Sequence, residues 1–160
     1  MKLWILRHAK AEAYSDSGRD QDRPLAAAGR RASRGLNQWL KESGLALPDA
    51  ILVSPATRTR ETAELAFKDI GAAGLTICQE LWMAGTRDLA RLIEEQGRSG
   101  RDSLMLIGHN PGLEDLVIQL GGHLPVHGLK PGTLVVMNLA LPLRAGSAET
   151  DQLVEARDFT

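Results

Sequence analysis

Two histidines and two arginines stand where the chain could do phosphate chemistry. Arg7 and His8 directly follow the apolar run Leu3-Trp4-Ile5-Leu6. Arg58 comes shortly after Ser54-Pro55, where the apolar run Ala50 to Val53 ends, and His109 follows the run Leu104 to Ile107 and Gly108. An arginine directly after an apolar strand must be paired or used, because charged side chains are seldom buried alone. Arginine is always protonated, and its fork of donors matches phosphate oxygens two at a time. A neutral imidazole can accept a phosphoryl group and so divide one hard displacement into two easier ones. Arginines aimed at the equatorial oxygens would stabilise the transition-state charge. Such a site needs no metal. Taken singly, each residue has a plainer reading: a histidine after a strand is more often structural, and Arg58 lies in the polar run Thr57 to Glu61 of a solvated helix. Their coincidence at three strand ends carries the argument.

The elements that must position them follow from the pattern of apolar residues. Lys2 to Arg7 reads as a short strand, and Ala9 to Pro24 as a long polar loop of the kind that binds ligands or closes over them. From Ala26 the spacing of Ala32, Leu36, Trp39 and Leu40 predicts a helix that stops near Gly44. A strand over Ala50 to Val53 ends at Ser54, which reads as an N-cap, with Pro55 as first helical residue. Ala63, Ala66, Phe67 and Ile70 form the core stripe of that helix. A weak strand over Leu75 to Cys78 precedes a helix near Asp88 to Gln96, with Leu89, Leu92 and Ile93 inward. Leu104 to Ile107 reads as a strand buried on both faces. It runs into Gly108-His109-Asn110-Pro111-Gly112, and the helix that follows carries Leu113, Leu116, Val117 and Leu120. That helix would aim backbone N–H groups and a favourable dipole at an anion. Thr133 to Leu141 is a fifth strand, and Gln152 to Phe159 an antiparallel return with Gly146 in the turn. Strand alternating with helix predicts an α/β three-layer sandwich with a mostly parallel central sheet. In such a sheet, ligands bind outside the carboxyl ends of the parallel strands.

The 160 residues match one domain of ordinary size, with 43% hydrophobic and 24% charged residues. Cys78 is the only cysteine, so a disulfide framework or a cysteine zinc cluster is excluded. The longest apolar runs are four residues, against roughly 20 for a membrane span and at least about seven for a secretory signal. A cytoplasmic location is therefore expected, with no membrane partner. The net charge of −1 does not favour nucleic acid as a partner. No Walker loop, dinucleotide fingerprint or Gly-x-Ser-x-Gly elbow is present, so kinase and serine hydrolase readings lack support.

The set of motifs resembles the histidine phosphatase superfamily, with its phosphoglycerate mutase-like fold, and within it the small bacterial SixA-type phosphohistidine phosphatases. The matching stretches are Leu6-Arg7-His8-Ala9, Arg23-Pro24-Leu25 with Gly29, Ser54-Pro55 with Arg58 and Thr62, and Gly108-His109-Asn110-Pro111. They occur in family order. The resemblance implies one histidine phosphatase domain over residues 1–160, His8 as nucleophile, Arg7 and Arg58 as a phosphate clamp, and His109 as second histidine. It implies no cofactor. Arg23 aligns with a substrate-side arginine, with a simple loop charge as the alternative.

Two departures stand out. The widespread family pattern has Gly after the nucleophile, whereas this chain has Ala9. Larger members that cleave phosphate monoesters also use a carboxylic acid from a longer insertion to protonate the leaving oxygen. Here the corresponding stretch Glu80-Leu81-Trp82-Met83-Ala84-Gly85 is short. Glu80 is the first candidate acid and Asp88 the second, against the reading that both are loop charges. A phosphorylated imidazole can take its proton on the other ring nitrogen and needs no such acid, which favours a phosphohistidine protein as partner. A small phosphate ester on the same site, or a silent phosphate-binding module, are the alternatives; a metal hydrolase using His8 and His109 as ligands ranks below them. His123 and His127 read as solvated loop residues. Trp4 and Trp39 read as core, while Trp82 suits the core or the pocket border equally.

Overall fold

A computed structural model describes residues 1–72 and 74–159. The chain forms strands β1 (Lys2–Arg7), β2 (Ala50–Val53), β3 (Leu75–Ile77), β4 (Ser103–Gly108), β5 (Leu134–Asn138) and β6 (Glu149–Val154). Between them run helices α1 (Ala27–Glu42), α2 (Thr57–Ala66), α3 (Thr86–Arg98) and α4 (Gly112–Leu120). The sheet order is β3-β2-β4-β1-β5-β6. β3, β2, β4 and β1 run parallel, whereas β5 is antiparallel to both β1 and β6.

Alternation along each strand divides the apolar residues between two faces. Leu3 and Ile5 of β1, with Leu104 and Leu106 of β4, pack against Leu89, Leu92 and Ile93 of α3 and Leu113, Leu116 and Val117 of α4. Trp4 and Leu6, with Met105 and Ile107, pack against Leu36 and Leu40 of α1 and Ala63 and Ala66 of α2. Both faces are covered, which is why these strands read as unbroken apolar runs. The result is the expected three-layer sandwich with a mostly parallel sheet.

Register brings the strand ends level. Arg7 lies beside Gly108, and Val53 beside Ile107. The ladder extends one residue further: the His8 amide donates to the Gly108 carbonyl at 3.1 Å, and the Ser54 amide to the Ile107 carbonyl at 3.0 Å. His8, Ser54 and His109 therefore leave the sheet side by side.

Several boundaries differ from the sequence reading. α2 begins at Thr57 with Ala56 as its N-cap, so Ser54 does not cap it and Pro55 lies outside it. The Ser54 carbonyl instead accepts a hydrogen bond from the Thr59 hydroxyl at 2.7 Å. The same helix ends at Ala66, which leaves Ile70 in the following turn. α3 starts at Thr86, where the Asp88 carboxylate accepts from the Gly85 amide at 3.3 Å. β6 starts three residues earlier than expected and ends five earlier, and a 3-10 turn over Ala156–Phe159 takes the end of the predicted strand. The loop 9–24 is pinned at its base by an antiparallel bridge between Ala11 and Leu25 and carries a 3-10 turn over Asp20–Asp22.

Two glycines allow the close approaches that shape the site. A Cβ on Gly29 of α1 would lie 2.1 Å from the Lys10 carbonyl oxygen, so glycine lets α1 seat against the segment after His8. A Cβ on Gly112, the first residue of α4, would lie 2.0 Å from the Ala84 carbonyl oxygen, in the loop that carries Trp82. Contacts this short are backbone overlaps that no rotamer relieves.

Candidate active site

His8 is buried, and its Nδ1 lies 2.7 Å from the Ala9 carbonyl oxygen. A carbonyl can only accept, so Nδ1 carries the proton and Nε2 keeps its lone pair. The Ala9 amide donates to the Thr62 hydroxyl at 3.1 Å, and that hydroxyl donates to the Arg58 carbonyl at 2.7 Å. Thr62 thus ties the His8 segment to the helix that carries Arg58. The His109 ring centre lies 5.4 Å from that of His8. His109 Nε2 pairs with the Ser54 hydroxyl at 2.6 Å, and its ring meets the Trp82 ring edge-on at 5.3 Å.

Three arginines close around the histidines, each held at one end. Arg7 Nη1 donates to the Leu129 carbonyl at 2.9 Å. That loop is in turn fixed by Glu114, whose carboxylate accepts from the Leu129 amide at 2.7 Å, and by Asn110, which donates to the Leu129 carbonyl at 2.9 Å. Arg58 is buried beside Trp82, its guanidinium carbon 5.6 Å from the ring centre. Its Nη1 donates to the Asp20 carbonyl at 2.9 Å and its Nη2 to the Asp20 carboxylate at 3.1 Å. The other oxygen of that carboxylate lies 3.3 Å from Arg23 Nη1.

Burial and charge keep both histidines neutral. His8 is pushed down to about 4, first by burial and then by the charges of Arg58, Arg7 and Arg23, with the Ala9 bond opposing. His109 is pushed down to about 3 by burial, His8, Arg58 and Arg7, with Asp20 opposing. Even Arg7 is lowered, by burial and the nearby Arg58 charge, with Glu114 opposing.

The cluster also holds polar atoms that the protein leaves unpaired. Among the described residues, Nε of Arg7, Arg23 and Arg58 and Nδ1 of His109 are buried without a hydrogen-bond partner. Each unpaired buried group costs about 1–3 kcal/mol. Four in one place, three of them on cations, suit an anion with several acceptor oxygens.

The structure therefore brings together Arg7, His8, Arg58 and His109, and adds Arg23 through Asp20. Glu80 stands apart from them. It is exposed in a short turn and ion-paired with Arg91 of α3. No hydrogen bond joins it to the cluster among the described residues, and Asp88 is engaged at the start of α3. His127 is exposed and pairs with the buried Glu155, and His123, also exposed, donates its amide to the Thr150 hydroxyl. Among the described residues no group of three His, Cys, Asp or Glu side chains is placed to hold a metal ion. No helix among them is long and apolar enough to cross a membrane. Sequence reasoning missed Asp20 and the pairing of Ser54 with His109. It also left open Trp82, which borders the site. The spacing of Asp20 and Arg23, three apart in a polar loop, is the one local signal that existed.

Comparison with known proteins places the chain in a family. Residues 3–81 match the family model of the histidine phosphatase superfamily (branch 1). Uncharacterized protein Rv1276c of Mycobacterium tuberculosis is 38% identical over 117 residues, which cover 72% of this chain and 69% of that one. The solved structure of the protein histidine phosphatase SixA complexed with tungstate superposes with a TM-score of 0.84 at 22% identity, over 100% of both chains. The SixA structure from Agrobacterium tumefaciens gives a TM-score of 0.77 at 26% identity, covering 96% of this chain and 97% of that one. By sequence and by fold, the chain belongs to the histidine phosphatase superfamily and is SixA-like.

Proposed function

We propose that this chain is a metal-independent phosphatase that works through a phosphorylated His8 and acts on protein phosphohistidine. In the first step the lone pair on His8 Nε2 attacks phosphorus. The new P–N bond forms as the substrate's P–N bond breaks, and the leaving imidazole keeps a proton on its other ring nitrogen. In the second step water attacks the same phosphorus, the bond to Nε2 breaks, and inorganic phosphate leaves. Arg7 and Arg58, with Arg23 on the substrate side, offer N–H groups to the equatorial oxygens, where charge must be held through both steps. His109 donates to one of those oxygens once the phosphoryl group is present. Residues 1–160 act as one domain, and the single free Cys78 suits a reducing cytoplasm.

The observation that carries this reading is the His8 tautomer: Nδ1 is committed to Ala9, so Nε2 is held as a neutral nucleophile among arginines whose Nε atoms lack partners. Tungstate is an oxyanion, and its presence in a SixA structure of the same fold supports an anion site here. The substrate follows from the carboxylates. Glu80 is engaged by Arg91 and Asp20 by two arginines. A leaving group that needs no enzyme acid fits this arrangement better than an alkoxide.

The test is rapid quench at alkaline pH, where phosphohistidine survives, followed by intact mass. A phosphohistidine protein should add about 80 Da, one phosphoryl group, to His8. His8→Ala should abolish both adduct and turnover. Activity that survives this substitution overturns the mechanism, and equal turnover of phosphoserine peptides overturns the substrate.

A further inference from the structure

We infer that Asp20 is a positioning residue of this site, whose carboxylate joins Arg58 to Arg23 and so holds two guanidiniums as one clamp around His8. The inference rests on the function proposed above. Arg58 comes from the first turn of α2 and Arg23 from the end of the loop 9–24, elements separated by 35 residues of chain. Two cations brought together in a half-buried place repel each other unless an anion stands between them. Asp20 is that anion, with Oδ2 at 3.1 Å from Arg58 and Oδ1 at 3.3 Å from Arg23.

The local fold sets this up. Asp20 opens the 3-10 turn, and the Arg23 amide closes it on the Asp20 carbonyl at 3.1 Å. Residues three apart share one side of such a turn, so Asp20 and Arg23 meet. Asp22 faces elsewhere, accepting from the Ser17 hydroxyl at 2.6 Å. Arg58 is engaged through Nη1 and Nη2 only, which leaves the Nε atoms of Arg58 and Arg23 buried and unpaired. A guanidinium has five donors in a rigid plane. Fixing one edge therefore fixes where the others point, and those are the donors a phosphoryl group would use.

This role separates rate from binding. A carboxylate beside the anion site opposes a dianion electrostatically, so its loss should not weaken anion binding. Its loss should instead free the arginines to leave the geometry that the transition state requires, which lowers kcat. The Arg58 bond to the Asp20 carbonyl remains in any side-chain variant, so the turn itself is kept.

The experiment compares the whole protein with Asp20→Ala, Asp20→Asn, Asp20→Glu and the loop control Asp22→Asn. Expected is a fall of about tenfold in kcat for Asp20→Ala, with KM and tungstate inhibition unchanged or tighter. Asp20→Glu should recover part of the rate, and Asp22→Asn should match the parent. In the free protein, NMR should show slowly exchanging Nε–H signals of Arg58 and Arg23, lost in Asp20→Ala. An unchanged or higher kcat in Asp20→Ala, or a parallel loss of rate and tungstate binding, overturns the inference. So does persistence of both Nε–H signals, which is read whether or not the enzyme turns over. By contrast, turnover that survives His8→Ala condemns the proposed function and leaves the clamp to be judged by those signals.

Discussion

Replacing His8 with asparagine should make the fold less sensitive to mild acid. A histidine in an unfolded chain takes its proton near pH 6.5. His8 does so only at about 4 in the folded protein, and His109 at about 3. Both folded values are lowered, so the unfolded chain binds the protons first. The stability these neutral rings allow is fully present above about pH 6.5 and is lost as the pH falls toward the folded values. Between about pH 7 and pH 5.5 the unfolded histidine gains most of its proton while the folded one gains almost none. Integrating the linkage over that interval gives about 1 kcal/mol for each ring, or about 2 to 3 kcal/mol for the pair. Urea unfolding at the two pH values and constant ionic strength measures this. Groups away from the site contribute equally to the parent and the variant, so they cancel in the difference. His8→Asn should lose about 1 kcal/mol less than the parent, and the double variant with His109→Asn about 2 to 3 kcal/mol less. An identical pH dependence in parent and variants would mean that the rings titrate normally in the fold. The buried, neutral nucleophile would then be wrong.

Two further substitutions test the surroundings of the site. Gly112→Ala places a methyl group 2.0 Å from the Ala84 carbonyl and should cost about 1–3 kcal/mol in urea unfolding. It should also lower kcat, because the Trp82 ring against His109 and Arg58 must move; unchanged stability and rate would contradict the packing. Glu80→Gln breaks only an exposed ion pair with Arg91, so stability should change by less than about 1 kcal/mol. Its turnover should stay within about twofold of the parent, whereas a tenfold loss, about 1.4 kcal/mol of barrier, would restore Glu80 as the catalytic acid.

What could be read from the sequence depended on how local each cause was. β1 and β2 match their predicted bounds because each is an apolar run stopped by polar residues, with no distant partner needed. The convergence of His8, Arg58 and His109 was legible for a similar reason, since parallel strand order places carboxyl ends on one side. Ser54 was misread because capping is a local preference, while its hydroxyl is taken by His109, 55 residues away. Asp20 had only its spacing to Arg23 to mark it in an aperiodic loop, because Arg58, which gives it meaning, lies 38 residues on. β6 was misplaced because its register is set by pairing with β5, with an irregularity between Val136 and Met137, rather than by its own weak alternation.

The same crowding that makes the site costly also makes it chemically suitable. Burial depresses the proton affinity of His8, and three arginines nearby add to its effect. The ring therefore waits with its lone pair exposed to whatever enters, not with a proton that must first be lost. The arginines wait likewise, each tied by one edge to Leu129 or Asp20 with Nε unpaired. Under the proposed function, an entering phosphoryl group would pair those donors and bring negative charge that offsets the arginines acting on both rings. Its arrival would raise the proton affinity of His109, so a proton shared between that ring and a phosphoryl oxygen would sit more readily on the ring. The protein supplies geometry and one sign of charge, and the substrate supplies the other. A site balanced in this way has little use for a separate acid, provided the leaving group can carry its own proton. The imidazole of a phosphohistidine meets that condition, and a serine alkoxide does not.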